Sequence, residues 1–242
     1  MNQKNKKNFF TTPKGYVLVV LILLTLISEV FSYDLHGPIN LIVSIFTAAT
    51  IDLLFGLTQE RSRLFPDGAI VTGWIIALVL STVVPWYIVV FTSATAILSK
   101  NLMKIKKKPV FNPAAFGLLI VILLFSSGQS WWGGMSTIPL WAIIFLLIGG
   151  YLTTQKVNKF PQVLSFLSVF FIFTLIFGLL KNGNVGDLLR VPYINSTLFL
   201  AFFMLTDPPT SPAKYKDQVL FGIIVALISI FDYVFGTVFP SY

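Results

Sequence analysis

Three short polar motifs interrupt an otherwise apolar chain, and their residue types suit ligand binding rather than nucleophilic catalysis. They are Phe65-Pro66-Asp67-Gly68-Ala69-Ile70-Val71-Thr72-Gly73, Phe111-Asn112-Pro113-Ala114-Ala115-Phe116-Gly117 and Leu205-Thr206-Asp207-Pro208-Pro209-Thr210-Ser211-Pro212. The first two open apolar segments, so they are helix N-termini, where free N–H groups and the helix dipole favour an anion or a polarised carbonyl. The third closes a segment, and its free carbonyls together with Asp207 favour a cation. Each motif also has a purely local explanation. Asp67-Gly68 makes an ordinary turn and N-cap, Asn112-Pro113 a cap followed by proline at the first helical position, and Thr206-Asp207-Pro208 a helix stop. Asp207 is expected either to face the starts of the other two motifs, accepting hydrogen bonds from Thr72 or Asn112, or to open a turn by bonding the N–H of Thr210.

Several chemistries are excluded at once. The 242 residues include no cysteine, which removes disulfides, thiolate metal sites and cysteine nucleophiles. His36 is the sole histidine, so haem ligation and multi-histidine metal sites have too few ligands. No nucleophile–base constellation of a soluble enzyme is present. Hydrophobic residues make up 56% and charged residues 11%, against about 25% charged in soluble domains. So few charges cannot cover so much apolar surface in water, and the chain is expected to be a multi-pass protein of the cell membrane.

The elements that must position the motifs follow from the apolar runs. Nine segments are expected, at 16–33, 38–57, 69–84, 86–99, 112–127, 138–153, 161–180, 191–206 and 218–238, each bounded by charge or by Gly/Pro. Several fall short of the ~20 residues of a full crossing, as broken or half helices within a bundle do. Fifteen of the seventeen basic residues fall on one side of this alternation, with Lys181 and Arg190 on the other. The positive-inside rule then places the N-terminus in the cytoplasm, the C-terminus outside and all three motifs on the cytoplasmic side. The lysine-rich start lacks a small-x-small cleavage site after its apolar run, so the first segment is read as a retained helix. Trp131-Trp132 suits an outer aromatic belt. The formal charge of +8 and the run Lys104-Ile105-Lys106-Lys107-Lys108 are read as a topology anchor against lipid, with no nucleic-acid partner. Glu29, Asp52 and Asp232 sit inside apolar runs, where a charge costs roughly 2.5–3.5 kcal/mol on insertion scales, so each is a candidate functional acid. Glu29 and Asp52 lie near opposite ends of adjacent helices and are not expected to pair, and Asp232 is expected toward the outer interface.

The three motifs in this order, with Ala77-Leu78, Ala201-Phe202-Phe203-Met204, Phe221-Gly222 and Phe235-Gly236 around them, resemble the D subunit of Rnf-type electron-transport complexes and the homologous B subunit of the sodium-pumping NADH:quinone oxidoreductase. The resemblance runs from about residue 9 to 238. It implies an all-α membrane fold of two inverted repeats, membership of a redox-driven ion pump, and flavin as the carrier. The family typically attaches FMN to the threonine of a Ser-Gly-Ala-Thr-like motif in the outer loop after the Asn-Pro-Ala helix. The loop here, Ser126 to Thr137, holds no such tetrad, and Ser136 and Thr137 are poor substitutes. The family also continues from the last Phe-Gly into a tenth helix, whereas this sequence stops at Val238-Phe239-Pro240-Ser241-Tyr242. The expected organisation is therefore a basic N-terminus over 1–15, a first repeat over 16–127 and a shortened second repeat over 128–242.

The resulting expectation is a membrane component of a flavin-based electron-transfer system, passing electrons across or along the membrane with other membrane or flavin-carrying subunits and coupled to cation translocation. FMN or riboflavin would bind non-covalently at Asp67, Gly68, Thr72, Asn112, Pro113, Thr206 and Asp207. A different class stays open: a non-redox transporter or channel for a small polar solute or cation, since broken helices in inverted repeats also build transport sites. A structural scaffold for redox partners is a third reading, if the motifs only cap helices.

Overall fold

The computed structural model describes residues 12–32, 34–106, 108–134, 140–180 and 190–235. Nine α-helices account for most of them: α1 Pro13–Ser32, α2 His36–Thr58, α3 Asp67–Val79, α4 Trp86–Leu102, α5 Pro113–Phe125, α6 Ile143–Val157, α7 Phe160–Leu179, α8 Val191–Phe199 and α9 Tyr215–Phe235. A π-helical turn, Leu200–Met204, extends α8. The nine segments expected from hydropathy are these helices. The orientation markers Lys4, Lys6, Lys7 and Lys181 lie outside the described residues, as do Ser136, Thr137 and 236–242, and nothing is described of the side chain of Asp232.

Helices α1, α2 and α7 are long and apolar enough to cross a membrane. α3 and α5 are not. Each has 13 residues, about 20 Å at 1.5 Å per residue, against a hydrocarbon core of about 30 Å. A half helix inside a bundle must satisfy its free backbone groups within the protein, and here the loops do so. Leu80 is extended and pairs with Gln129, the Ser81 N–H donates to the Gly128 carbonyl at 3.1 Å, and the Trp131 N–H donates to the Val79 carbonyl at 3.1 Å. This pairing stops α3 at Val79, five residues before the apolar run ends. Trp132 completes it, its indole N–H donating to the Ala77 carbonyl while the ring is buried. It is an internal strut, not part of the expected interfacial belt.

Other boundaries move for local reasons. α1 starts at Pro13, not residue 16, because the Thr12 hydroxyl accepts the Gly15 N–H and proline fills the first helical position. Among the described residues, the fold departs from all-α at one place besides the Leu80 bridge. The basic run after α4 forms a two-stranded hairpin, β1 Lys104–Ile105 with β2 Lys108–Pro109, turning through Lys106 at φ 49°.

The packing has a recurring pattern. α2 lies beside α4, and α7 beside α9; α1 packs on α3 and α6, and α6 on α8. α2 and α4 run parallel, joined near one end by Asn40 to the Thr82 carbonyl and near the other by Asp52 to Lys100. α7 and α9 also run parallel, with Gln218 at the start of α9 bonded to the Asn158 carbonyl just before α7. Small residues permit the close contacts where no hydrophobic effect drives helices together. A Cβ on Gly73 in α3 would lie 2.9 Å from the Ser44 carbonyl oxygen of α2. The Ser44 hydroxyl uses that approach, bonding the Gly73 carbonyl and the Ser93 hydroxyl, both at 2.8 Å. The centre is sealed by Leu21, Ile76, Leu78, Leu146, Phe166 and Phe199, all under 2% exposed.

Candidate functional site

All three sequence motifs meet at one end of the bundle, here termed the basic end. Pro66 precedes α3, and Asp67 occupies its first turn without acting as the N-cap. The Asp67 carboxylate instead holds Lys14 at 3.0 Å and Arg63 at 3.6 Å. Gly68 faces two ammonium groups: a Cβ there would lie 3.1 Å from Lys14 Nζ and 3.3 Å from Lys100 Nζ. Lys100 is fixed by Asp52, at 3.1 Å, and Arg61 approaches the same carboxylate oxygen at 3.3 Å. Asn101 ties this group together, its side-chain oxygen accepting from Arg61 at 2.6 Å and from Lys104 at 3.3 Å. Burial pushes the Lys104 ammonium below the usual lysine range, with repulsion from Arg61 adding to it. Asp52 is 5% exposed; the intramembrane acid is thus a doubly paired anchor and does not partner Glu29.

Asn112 is the N-cap of α5. Its Oδ1 accepts the Ala115 N–H at 3.2 Å, and Pro113 fills the first turn. Its Nδ2 reaches across 92 positions and donates to the Met204 carbonyl at 2.9 Å. The reason lies in the third motif. In a continuing helix the Met204 carbonyl would accept from residue 208, or from 209 in a π turn, and both are proline. The Leu205 carbonyl faces the same deficit at 209, and Gln162 of α7, fully buried, donates its Nε2 there at 2.7 Å. Two side-chain amides, one from each half of the chain, therefore replace two missing backbone donors.

This overturns the expectation of free carbonyls awaiting a cation, because the carbonyls of Met204 and Leu205 are taken. It also corrects the bonding expected of Asp207. Thr72 donates to the Gly68 carbonyl at 2.8 Å and Thr206 to the Phe202 carbonyl at 2.6 Å, each within its own helix. The carboxylate of Asp207 accepts the Thr210 hydroxyl at 2.9 Å, while its backbone carbonyl accepts the N–H groups of Thr210 and Ser211. The turn exists, but it is built on the main-chain oxygen of Asp207. Burial raises the Asp207 carboxyl above the ordinary aspartate value, opposed by the Thr210 hydroxyl and by the charges of Lys14, Lys100 and Lys159. Asp207 therefore shares its electrostatic surroundings with the start of α3. Lys159, 4% exposed, donates to the carbonyls of Ser211 and Pro212 and has its ammonium lowered by burial.

Sequence reasoning missed Lys14, Lys100, Arg61, Lys159 and Gln162 as members of this end. A signal existed for two of them. A carboxylate at Asp52 inside an apolar run demands cationic partners, and Arg61 lies in the loop nine residues on. Gln162, right after Pro161 in an apolar segment, demands a partner as well.

The opposite end is different in character. A cavity of about 260 Å³ opens there, lined by Ser32, Asp34, Gly37, Thr82, Ser130 and Trp132 among others. The Thr82 hydroxyl, and then the backbone and ring of His36, hold the Asp34 carboxyl below its ordinary value, against burial.

The profile of the NQR2, RnfD, RnfE family matches residues 7–139 and 130–241. The D subunit of the proton-translocating ferredoxin:NAD(+) oxidoreductase complex of Clostridium ljungdahlii is 21% identical over 209 residues, which cover 86% of this chain and 60% of that protein. The D subunit of the ion-translocating oxidoreductase complex of Vibrio vulnificus is 20% identical over 285 residues, covering 84% of this chain and 80% of that protein. The chain thus spans about 60% of the length of the Clostridium relative. A helical bundle whose polar motifs converge as described, matched along nearly its whole length, belongs to the NQR2, RnfD, RnfE family of membrane proteins.

Proposed function

We propose that this protein is the membrane component of a flavin-based electron-transfer system, working with other membrane or flavin-carrying subunits and coupled to cation translocation. The relatives are subunits of oxidoreductase complexes. Within the chain, the observation that carries the reading is the convergence of the three motifs, through Asn112 on Met204 and through Lys14 and Lys100 on Gly68 and Asp207. The parallel pairs α2/α4 and α7/α9 support the reading of two inverted repeats, since α2 ends at the basic end and α7 begins there. On the positive-inside rule that end is cytoplasmic.

Several expected flavin contacts are already engaged in the scaffold: Asn112 and Pro113 at the start of α5, Thr72 in α3 and Thr206 after α8. The charged groups beside Asp67 and Gly68 that would hold FMN or riboflavin non-covalently are the ammonium groups of Lys14 and Lys100, which pair with Asp67 and Asp52, together with the carboxylate of Asp207, which accepts from Thr210. Bound flavin supplies one- and two-electron transfer; the chain supplies binding, orientation and electrostatics. Lysines raise electron affinity nearby by stabilising added negative charge, and the apolar centre keeps water from the path.

The test is direct. Protein purified in detergent, as isolated or after incubation with FMN or riboflavin, should carry flavin absorbance, and denaturation should release the flavin. Protein that stays colourless under both conditions refutes the proposal. Solute uptake into proteoliposomes that hold this chain alone, with no electron donor, would establish the transporter reading in its place.

A further inference from the structure

We infer that the polar cavity opposite the basic end is a binding site for a monovalent alkali cation, held by Glu29 with the hydroxyls of Ser28 and Ser32. A set of buried oxygens with nothing to bond carries the assignment. Ser28 is 1% exposed. Its Oγ, the Ser32 Oγ and the Glu29 Oε2 are all shut from solvent and have no hydrogen-bond partner among the described residues. A helical serine has a local partner in the carbonyl four residues back, the bond that Thr25 makes to Leu21 at 2.7 Å. Neither serine takes it. Buried polar atoms without partners are rare, and three within five residues point to a ligand. Helical spacing gathers them, since at about 100° per residue the three side chains fall within about 100° of arc, with Ser32 between the other two. Ser32 lines the cavity of about 260 Å³ together with Asp34, Thr82 and Trp132, and Ser28 lies one turn beneath it on α1.

The ligand set selects the ligand. Every unpartnered group is an oxygen, which suits a hard cation. Charge then selects the valence. Asp34, at the cavity wall, is already served by the Thr82 hydroxyl and by His36. No basic side chain among the described residues pairs with Glu29, and the charge that bears on it is that of Asp34, another acid. One carboxylate without a counter-charge, beside neutral hydroxyls, matches a single positive charge, whereas divalent ions draw their affinity from several carboxylates. Water alone would serve the serines and leave a charge on Glu29 uncompensated within a helix that crosses the membrane. The other end of the bundle is closed to a cation: Lys14, Arg61, Lys100 and Lys159 repel it, and the carbonyls of Met204 and Leu205 are taken. On the positive-inside rule the cavity opens to the outside. As the outer mouth of the coupled cation's route it rests on the coupling proposed above; binding itself needs neither flavin nor an electron donor.

The test follows the thermal stability of purified protein in detergent as sodium, potassium or calcium chloride replaces choline chloride at fixed ionic strength. Sodium or potassium should raise Tm in a saturable way that choline does not reproduce. Glu29→Gln should shift that response to concentrations at least about tenfold higher, because ligand charge sets the affinity. Ser28→Ala should weaken the response by a smaller factor, yet in choline it should melt no lower than wild type, since it removes an unpartnered buried hydroxyl. Asp217→Asn, an exposed acid in the first turn of α9, should respond as wild type. Equal Tm in sodium, potassium and choline, or an unchanged response in Glu29→Gln, overturns the inference and leaves water as the occupant. A response to calcium well below the concentrations of both alkali cations overturns the monovalent assignment. Should Glu29→Gln fail to fold, Ser28→Ala and the wild-type salt series still decide. Flavin bound with no alkali response overturns this inference alone; an alkali response in protein that takes up no flavin upholds it and refutes the flavin reading.

Discussion

Asn112 carries two separable jobs on one side chain, and replacing it with serine isolates the second. Serine is as good an N-cap as asparagine, so the bond to the Ala115 N–H survives in Asn112→Ser. Its hydroxyl is too short to reach Met204, 92 positions away. The Met204 carbonyl then loses its donor in a residue 5% exposed, with prolines at 208 and 209 where backbone N–H groups would be. An unsatisfied buried carbonyl costs about 1–3 kcal/mol. For a chain of this length that is a fall of about 2–12 °C in Tm. Asn112→Ala loses the cap as well and should fall by about 0.5–2 kcal/mol more. The assay is thermal unfolding of purified protein, with wild type, Asn112→Ser and Asn112→Ala compared in one detergent. If Asn112→Ser melts with wild type while Asn112→Ala alone falls, the bond across the bundle contributes nothing and the account of the two prolines is wrong.

Gln162→Met should destabilise by about 1–2 kcal/mol, and its double variant with Asn112→Ser should fall short of additivity by about 0.5–2 kcal/mol, because both amides hold one turn. Independent effects in that thermodynamic cycle would show the carbonyls of Met204 and Leu205 to be uncoupled. Asp207 has a native pKa raised by burial, so its contribution to stability is present at low pH and is lost as pH rises through that value. Asp207→Asn should accordingly be at least as stable as wild type at neutral pH, with wild type gaining on it as pH falls; a variant less stable at neutral pH would mean that the three lysines outweigh burial. Asp34 behaves oppositely. Its lowered native pKa gives stability that is present above the ordinary aspartate value and lost on acidification, so Asp34→Asn should lose about 0.5–1.5 kcal/mol at neutral pH and match wild type in acid. Gly73→Ala forces a methyl against the Ser44 and Ile45 backbone and should lose about 1–3 kcal/mol, checked by Tm; an unchanged melt would mean that α2 and α3 part freely.

Much of this architecture is legible in the residues because the bilayer imposes it. The apolar runs punctuated by charge and proline correspond to the nine helices of the described residues, and Asn112-Pro113 became the cap that its composition specifies. Boundaries set by distant pairing were not legible. Val79-Leu80-Ser81-Thr82-Val83-Val84 carries only the weak interruption of Ser81-Thr82 before Pro85, and the stop at Val79 comes from pairing with residues 128–131. Lys104 to Pro109 forms a hairpin without the Gly or Asn that usually marks one, its turn taken by Lys106 at positive φ. The start of α1 is legible in Thr12-Pro13, a cap and first-turn pair, but it lies outside the apolar run, which begins only at Tyr16 and places the start too late.

At the site, sequence exposes supply and demand but not who meets whom. Pro208-Pro209 announces that two carbonyls lack donors. Asn112 and Gln162 announce amides in apolar surroundings. Only the fold joins them, and in joining them it changes the chemistry on offer. The carbonyls of Met204 and Leu205 at the end of the α8 extension each accept an amide N–H from another helix, so these two oxygens are not left waiting for a cation. The end is dominated by ammonium and guanidinium groups: Lys14 and Arg63 share Asp67, Lys100 and Arg61 share Asp52, and Lys104 and Lys159 bond neutral oxygens. Asp207 is then the minority charge in a basic site, ringed by Lys14, Lys100 and Lys159. Burial raises its pKa against the opposing charges of these three lysines and the Thr210 hydroxyl, so desolvation outweighs them at this carboxyl.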